Sequence, residues 1–274
     1  MELQGQSRIS RFKEEAYRGI LEMSLRLSLG PRGSFAKFPY WGIETNCGSG
    51  ENEKSKCDGS PIEFLKVMTL NNRHYHAIFC DKDGAKLRAL YQRIISMGCP
   101  VDPDTITLLE MDNSHMFSRV RSKIESTETL RHAVGSVFCD SNGPSPKTGF
   151  ALEAVAEFSS RCPKIDVIIN VNVTGIHRAL GVKDERPRYQ KFRDKISKWP
   201  AKSLDEVISC IRRPKEGWLI REPLFTRGGT SGYMYVLLVA RSIATKGSSI
   251  LKLHPLMSAK GLEILEEARR RKPE

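Results

Sequence analysis

The chain has no apolar run approaching the ~20 residues that span a bilayer. Its opening residues, MELQGQSRISRFKEEAYRGI, lack the apolar core of a secretory signal. A cytoplasmic protein with no membrane association is therefore expected. Cysteine is present but unorganised. Cys47, Cys57, Cys80, Cys99, Cys139, Cys162 and Cys210 are odd in number and scattered, with no Cys-x-x-Cys pair and no cysteine–histidine cluster to suggest a structural zinc site. No metal is expected.

What is there suffices for a sizeable core. The 274 residues are 39% apolar and 28% charged, the composition of a globular protein that folds as one large domain or two small ones. Basic residues outnumber acidic ones, giving a formal net charge of +12 and a pI near 9.4. They concentrate in residues 178–198, 212–221 and 268–272. That balance points to a polyanionic partner such as a nucleic acid, with a solvated basic surface as the plain alternative.

Residues 11–28 place Phe12, Tyr17, Ile20, Leu21, Met23, Leu25 and Leu27 at mostly helical spacing, and LGPRGS ends the run, so 1–32 reads as an N-terminal helical segment. FAKFPYWGIE reads as a strand leading into the turn TNCGSG, and a polar detour occupies 51–58. Ser60-Pro61-Ile62-Glu63 reads as a capping box with proline at the first helical position. Strands and helices then alternate: strand 75–81, a helix stopped by Gly98, strand 105–112, helix 114–124, strand 134–140, helix 149–161 and strand 164–173. Such alternation predicts an α/β fold whose mostly parallel sheet is covered on both faces. A basic helical insertion follows near 178–216, with a second capping box at Ser203-Leu204-Asp205-Glu206. GWLIREPL and GYMYVLLVARS, with no helix between them, read as a C-terminal antiparallel pair. No linker is evident, so 33–245 is expected to be one domain and 246–274 a tail with a short helix.

In an open α/β sheet, ligands bind at the carboxyl ends of the strands, where the strand order reverses. Four strands in series end in carboxylates here: Glu44, Asp81, Asp112 and Asp140. A dinucleotide site asks for Gly-x-Gly-x-x-Gly running directly into a helix. This chain has Gly48-Ser49-Gly50, but Glu53 stands at the third glycine position and the helix begins ten residues after Gly50. Glu51 and Glu53 would also oppose a pyrophosphate. S-adenosylmethionine carries a sulfonium, an ammonium and a ribose diol but no phosphate, so strand-end acids suit it better.

The run Glu44-Thr45-Asn46-Cys47-Gly48-Ser49-Gly50 resembles the first motif of class I S-adenosylmethionine-dependent methyltransferases. The resemblance implies a Rossmann-like fold with a mostly parallel seven-stranded sheet. It also implies that Glu44, Asn46, Gly48 and Gly50 hold the methionine end of the cofactor, Asp81 the ribose hydroxyls and Asp112 the adenine side. Asp140 and Asn142, in Asp140-Ser141-Asn142-Gly143, fall at the fourth motif, where catalytic or substrate-orienting groups sit. A narrower resemblance covers most of residues 10–240. NCGSG…CDGSP, IFCDKD, FCDSNGPSP and DVIINVNVTGIHRAL are similar to the three-Cys-motif partner family, which implies a protein partner carrying three cysteines. Two departures stand out. Asn46 replaces the usual first glycine, and asparagine tolerates a left-handed backbone better than other side-chain-bearing residues. The fourth motif lacks the Pro-Pro pair and the aromatic with which amino-methyltransferases hold an extruded base.

His177, Arg178 and Arg227 are candidate substrate-binding residues, and Trp199, Trp218 and Tyr189 interleave with basic residues as base-stacking platforms do, or else pack in the core. Asp83 either shares the ribose role or caps the next helix, and His115 reads as a helix-face residue. Three readings follow. The first is a methyltransferase acting on nucleic acid, with Asp140 orienting or deprotonating the acceptor. The second is a methyltransferase-like subunit that has lost catalysis and binds a protein or nucleic acid. The third, weaker, is a nuclease with Asp81, Asp112 and Asp140 around a divalent metal.

Overall fold

The computed structural model describes residues 14, 17–22, 24–25, 38–52, 57–99, 101–102, 104–140, 154, 157–158, 161–172, 215–219 and 233–240. Asn142, His177, Arg178, Arg227, Tyr189, Trp199, the second capping box and the C-terminal helix expected from sequence lie outside the described residues.

Helix α1 is helical at its described residues between 14 and 25. Strand β1 (Tyr40–Glu44) follows, then a small hairpin of β2 (Glu51–Asn52) and β3 (Cys57–Asp58). Next come α2 (Ser60–Leu70), β4 (Tyr75–Asp81), α3 (Gly84–Ser96), β5 (Ile106–Glu110), α4 (Asn113–Glu125) and β6 (Val134–Asp140). Helix α5 is helical at its described residues between 154 and 161, and β7 (Ile165–Asn172), β8 (Lys215–Leu219) and β9 (Tyr233–Ala240) complete the described elements.

Five strands pair in parallel in the order β5-β4-β1-β6-β7. The chain moves outward from β1 to β4 and β5, then returns to the other side of β1 with β6. That reversal puts the switch point of a doubly wound Rossmann-like sheet at the carboxyl ends of β1 and β6. Beyond β7, β9 runs antiparallel to it, and β8 antiparallel to β9.

Strand alternation divides the core into two layers. Tyr40, Tyr75, Ala77, Phe79, Val134 and Phe138 join the side chains of α1, α2 and α3 on one face of the sheet. Trp41, Ile43, Ile78, Cys80, Val137 and Cys139 join those of α4 and α5 on the other. A period of two with both phases apolar is the pattern of a sheet buried on both sides. Gly42 is small for a packing reason. A Cβ there would overlap the ring of Phe64, which is itself fully buried on α2. The α2 helix therefore lies close against β1, and its N-terminus comes within reach of the strand end.

Several local expectations change. The first strand begins at Tyr40. The detour after the glycine turn closes as the β2–β3 hairpin, pairing Glu51 with Asp58 and Asn52 with Cys57. Arg93 on α3 ion-pairs with Glu51 and Asp58, and Lys66 on α2 with Asp58, so the hairpin is tied to both helices. The third parallel strand ends at Glu110, leaving Asp112 in the turn before α4. Asp83 does cap α3, accepting from the Ala85 N–H at 3.0 Å, and Gly98 takes the left-handed conformation that stops the helix (φ 71°).

Candidate functional site at the strand ends

Glu44 ends β1 and is 1% exposed. Each carboxylate oxygen accepts from a hydroxyl on a different helix: Tyr17 of α1 donates to Oε1 at 3.3 Å, and Ser60 of α2 to Oε2 at 2.8 Å. The expected capping box is therefore absent. Gly59 is the N-cap of α2, its carbonyl accepts from Ile62 and Glu63, and no side-chain cap bond forms. Ser60 is used on the buried carboxyl, where a missing donor would cost more than at a solvated helix end. Burial pushes Glu44 well above the usual carboxylate range, and Glu14 and Asp140 add to the shift; Ser60 and Tyr17 oppose it.

The turn after Glu44 is built on Gly48 (φ 65°) and Gly50 (φ 73°), both in the region that favours glycine. A Cβ on Gly48 would meet nothing within 4 Å, so the turn presents bare backbone to open space. Asn46 is not among the left-handed residues, and the tolerance argued for it from sequence is not needed. Instead its Oδ1 accepts from Thr45 Oγ1 at 3.0 Å and from Asn113 Nδ2 at 2.9 Å. The side chain that replaces a glycine thus links the β1 turn to the start of α4. Asn113 is a residue that the sequence reading passed over for its neighbour Asp112.

Asp81, 6% exposed at the end of β4, joins two pieces of backbone. Its Oδ2 accepts from the Gly48 N–H at 3.0 Å and its Oδ1 from the Asp83 N–H at 2.9 Å. A backbone bond from Cys47 N to the Cys80 carbonyl (2.9 Å) reinforces the same junction. The glycine turn is therefore locked to β4 before any ligand arrives. Glu110 ends β5 with its carboxyl group packed against Gly84, the first residue of α3; Asp112 is exposed, and Asp140 is half-buried at the end of β6. The ends of β1 and β6 are adjacent through their parallel pairing, Glu44 opposite Phe138, and Asp140 raises the Glu44 carboxyl further.

The cysteines near the site are poor nucleophiles. Burial raises the Cys47 thiol well above its usual value, with Glu44 and Asp81 adding to the shift; burial also pushes Cys80 and Cys139 up to about 12. Among the described residues no group of three His, Cys, Asp or Glu side chains converges as metal ligands. A cavity of about 220 Å³ lies between α4 and α5, lined in part by the Phe117–Phe158 ring pair. No helix among the described residues is long and apolar enough to cross a membrane.

No family model matches the chain, and no curated protein sequence does. Solved structures do resemble it at the level of backbone. A candidate caffeoyl-CoA O-methyltransferase from Staphylococcus aureus aligns at 10% identity and a TM-score of 0.47, covering 83% of this chain and 82% of that one. An rRNA methylase from Streptococcus thermophilus aligns at 9% identity and 0.40, covering 85% and 97%. The N-methyltransferase NodS from Bradyrhizobium japonicum WM9 aligns at 11% identity and 0.38, covering 83% and 96%. Likenesses this distant carry no activity, substrate or partner across. The class rests on the chain's own strand order: a doubly wound Rossmann-like α/β protein whose switch point lies at the carboxyl ends of β1 and β6.

Proposed function

We propose that the crevice at the ends of β1, β4, β5 and β6 binds S-adenosylmethionine and that the chain is a class I methyltransferase-type protein. One observation carries this reading. Gly48, whose bare backbone faces open space, is held by a carboxylate, Asp81, at a switch point whose neighbouring strands also end in acids. A crevice lined this way suits a ligand with cationic and hydroxyl groups and repels a pyrophosphate. In this assignment the turn backbone, Asn46 and Glu44 face the methionine end, Asp81 the ribose and Asp112 the adenine side. The cofactor would supply an electrophilic methyl group; Asp140 and Asn142 would orient the acceptor or hold its proton.

Nucleic acid is the acceptor we favour. The described residues hold 14 of the 44 lysines and arginines but 18 of the 32 aspartates and glutamates. The basic excess therefore belongs to the other segments, including those that carry His177, Arg178 and Arg227, and suits phosphate contact. The second reading, a non-catalytic subunit in the cytoplasm serving a protein with a three-cysteine motif or a nucleic acid, draws on the fourth motif: Asp140-Ser141-Asn142-Gly143 keeps the acid and lacks the Pro-Pro-aromatic platform. Incubation with labelled S-adenosylmethionine and RNA, DNA or a protein mixture separates the two. Label in RNA or DNA that is lost in Asp140→Ala supports the enzyme; binding without transfer to any acceptor supports the subunit.

A further inference from the structure

We propose that Tyr17 is a positioning residue for Glu44, which makes α1 a wall of the cofactor crevice rather than an appended segment. This rests on the S-adenosylmethionine reading above and concerns a residue 27 positions away from its partner in sequence. The Tyr17 ring is 1% exposed and stacks on Phe138 of β6, centroids 4.2 Å apart and planes 24° from parallel. The ring is thus fixed by packing, and its hydroxyl meets Glu44 directly behind the glycine turn. Other contacts hold α1 without that hydroxyl. Ile20, Leu21 and Leu25 are buried in the same layer, and Ser24 donates to Asp166 at 2.8 Å while accepting from Tyr40 at 3.1 Å. Removing only the Tyr17 oxygen therefore tests its contact with Glu44 and leaves the helix docked.

The groups that act on Glu44 come from every element around it: Glu14 and Tyr17 from α1, Ser60 from α2, Cys47 from the turn and Asp140 from β6. The two acids favour the protonated carboxyl, and the two hydroxyl donors favour the carboxylate. Burial holds Glu44 toward its neutral form, and the Tyr17 donor lowers the cost of reaching the carboxylate that a cationic ligand draws out; losing the donor raises that cost. The sulfonium cofactor should feel this more than its demethylated product, whose thioether is uncharged.

Calorimetric titration of Tyr17→Phe and Ser60→Ala with S-adenosylmethionine and S-adenosylhomocysteine, across pH, tests the role. We expect Tyr17→Phe to bind the sulfonium compound about fivefold more weakly at neutral pH, from the worth of one hydrogen bond. The thioether should lose less, and the pH at which sulfonium binding declines should move upward. Ser60→Ala should change all three in the same sense. In the unliganded protein, the pH dependence of urea unfolding should move upward as well. Equal losses for both ligands, with no displacement on the pH axis, overturn the positioning role, as does a variant indistinguishable from wild type. If wild type binds neither compound, the cofactor reading falls and takes this inference with it.

Discussion

Replacing Asp81 by asparagine keeps the size of the side chain and exchanges one carboxylate oxygen for an amide donor. The exchange falls where both oxygens are in use: Oδ2 holds the Gly48 N–H at 3.0 Å and Oδ1 the Asp83 N–H at 2.9 Å. Whichever way the new amide turns, one backbone N–H faces another donor. Asp81 is 6% exposed, so water cannot readily stand in. A hydrogen bond to a charged group is worth about 1.5–3 kcal/mol, and the stranded donor adds to the loss, so Asp81→Asn should destabilise the chain by at least about 1.5 kcal/mol in urea denaturation. The damage falls on the glycine turn or on the start of α3. In the cofactor account, affinity for S-adenosylmethionine should fall at least about tenfold, read by calorimetry. Asp81→Ala, which removes both acceptors without introducing a facing donor, provides the comparison. An Asp81→Asn protein within about 0.5 kcal/mol of wild type, with unchanged affinity, would refute the claim that this carboxylate builds the turn.

Gly42→Ala should cost about 1–3 kcal/mol in the same assay, because Phe64 is packed among Tyr40, Tyr75 and Phe79 and cannot swing aside; a neutral result would mean that α2 does not lie against β1 as described. Glu44 has its carboxyl raised in the fold, so the folded state retains a proton that the unfolded chain has given up, and stability falls as pH rises from the unfolded carboxylate range toward the folded one. Glu44→Gln should lose that slope, so that the variant gains on wild type in unfolding measurements as pH rises above the unfolded carboxylate range; a difference that stays constant with pH contradicts it. Mass spectrometry after brief alkylation of the native protein should find Cys57 and Cys99 modified before Cys47, Cys80, Cys139 and Cys162, which are buried; early labelling of Cys47 would mean that the turn opens.

The fold was legible where its signals were local. Two complete apolar strands, Tyr75–Asp81 and Val134–Asp140, and the Asp83 and Gly98 ends of α3 follow from periodicity and capping chemistry alone. Interactions between distant residues were not legible. Ser60 reads as a helix cap in sequence because its neighbours have the right spacing, but a buried carboxyl 16 residues earlier takes its hydroxyl. Tyr17 reads as one apolar position in a helix, and nothing nearby reveals that its oxygen faces Glu44. At β5 the expectation selected Asp112 as the strand-end acid, but Glu110 ends the strand, and Asn113 makes the contact with the first turn. Asn46 stands where the resembled motif has glycine. Its reason lies in a side-chain bridge that a single sequence cannot display.

Calorimetric titration of the wild-type chain with S-adenosylmethionine is the most direct test of the central claim. Saturable binding at one site per chain, weakened in Asp81→Asn, is expected. A flat titration from a folded protein would contradict it.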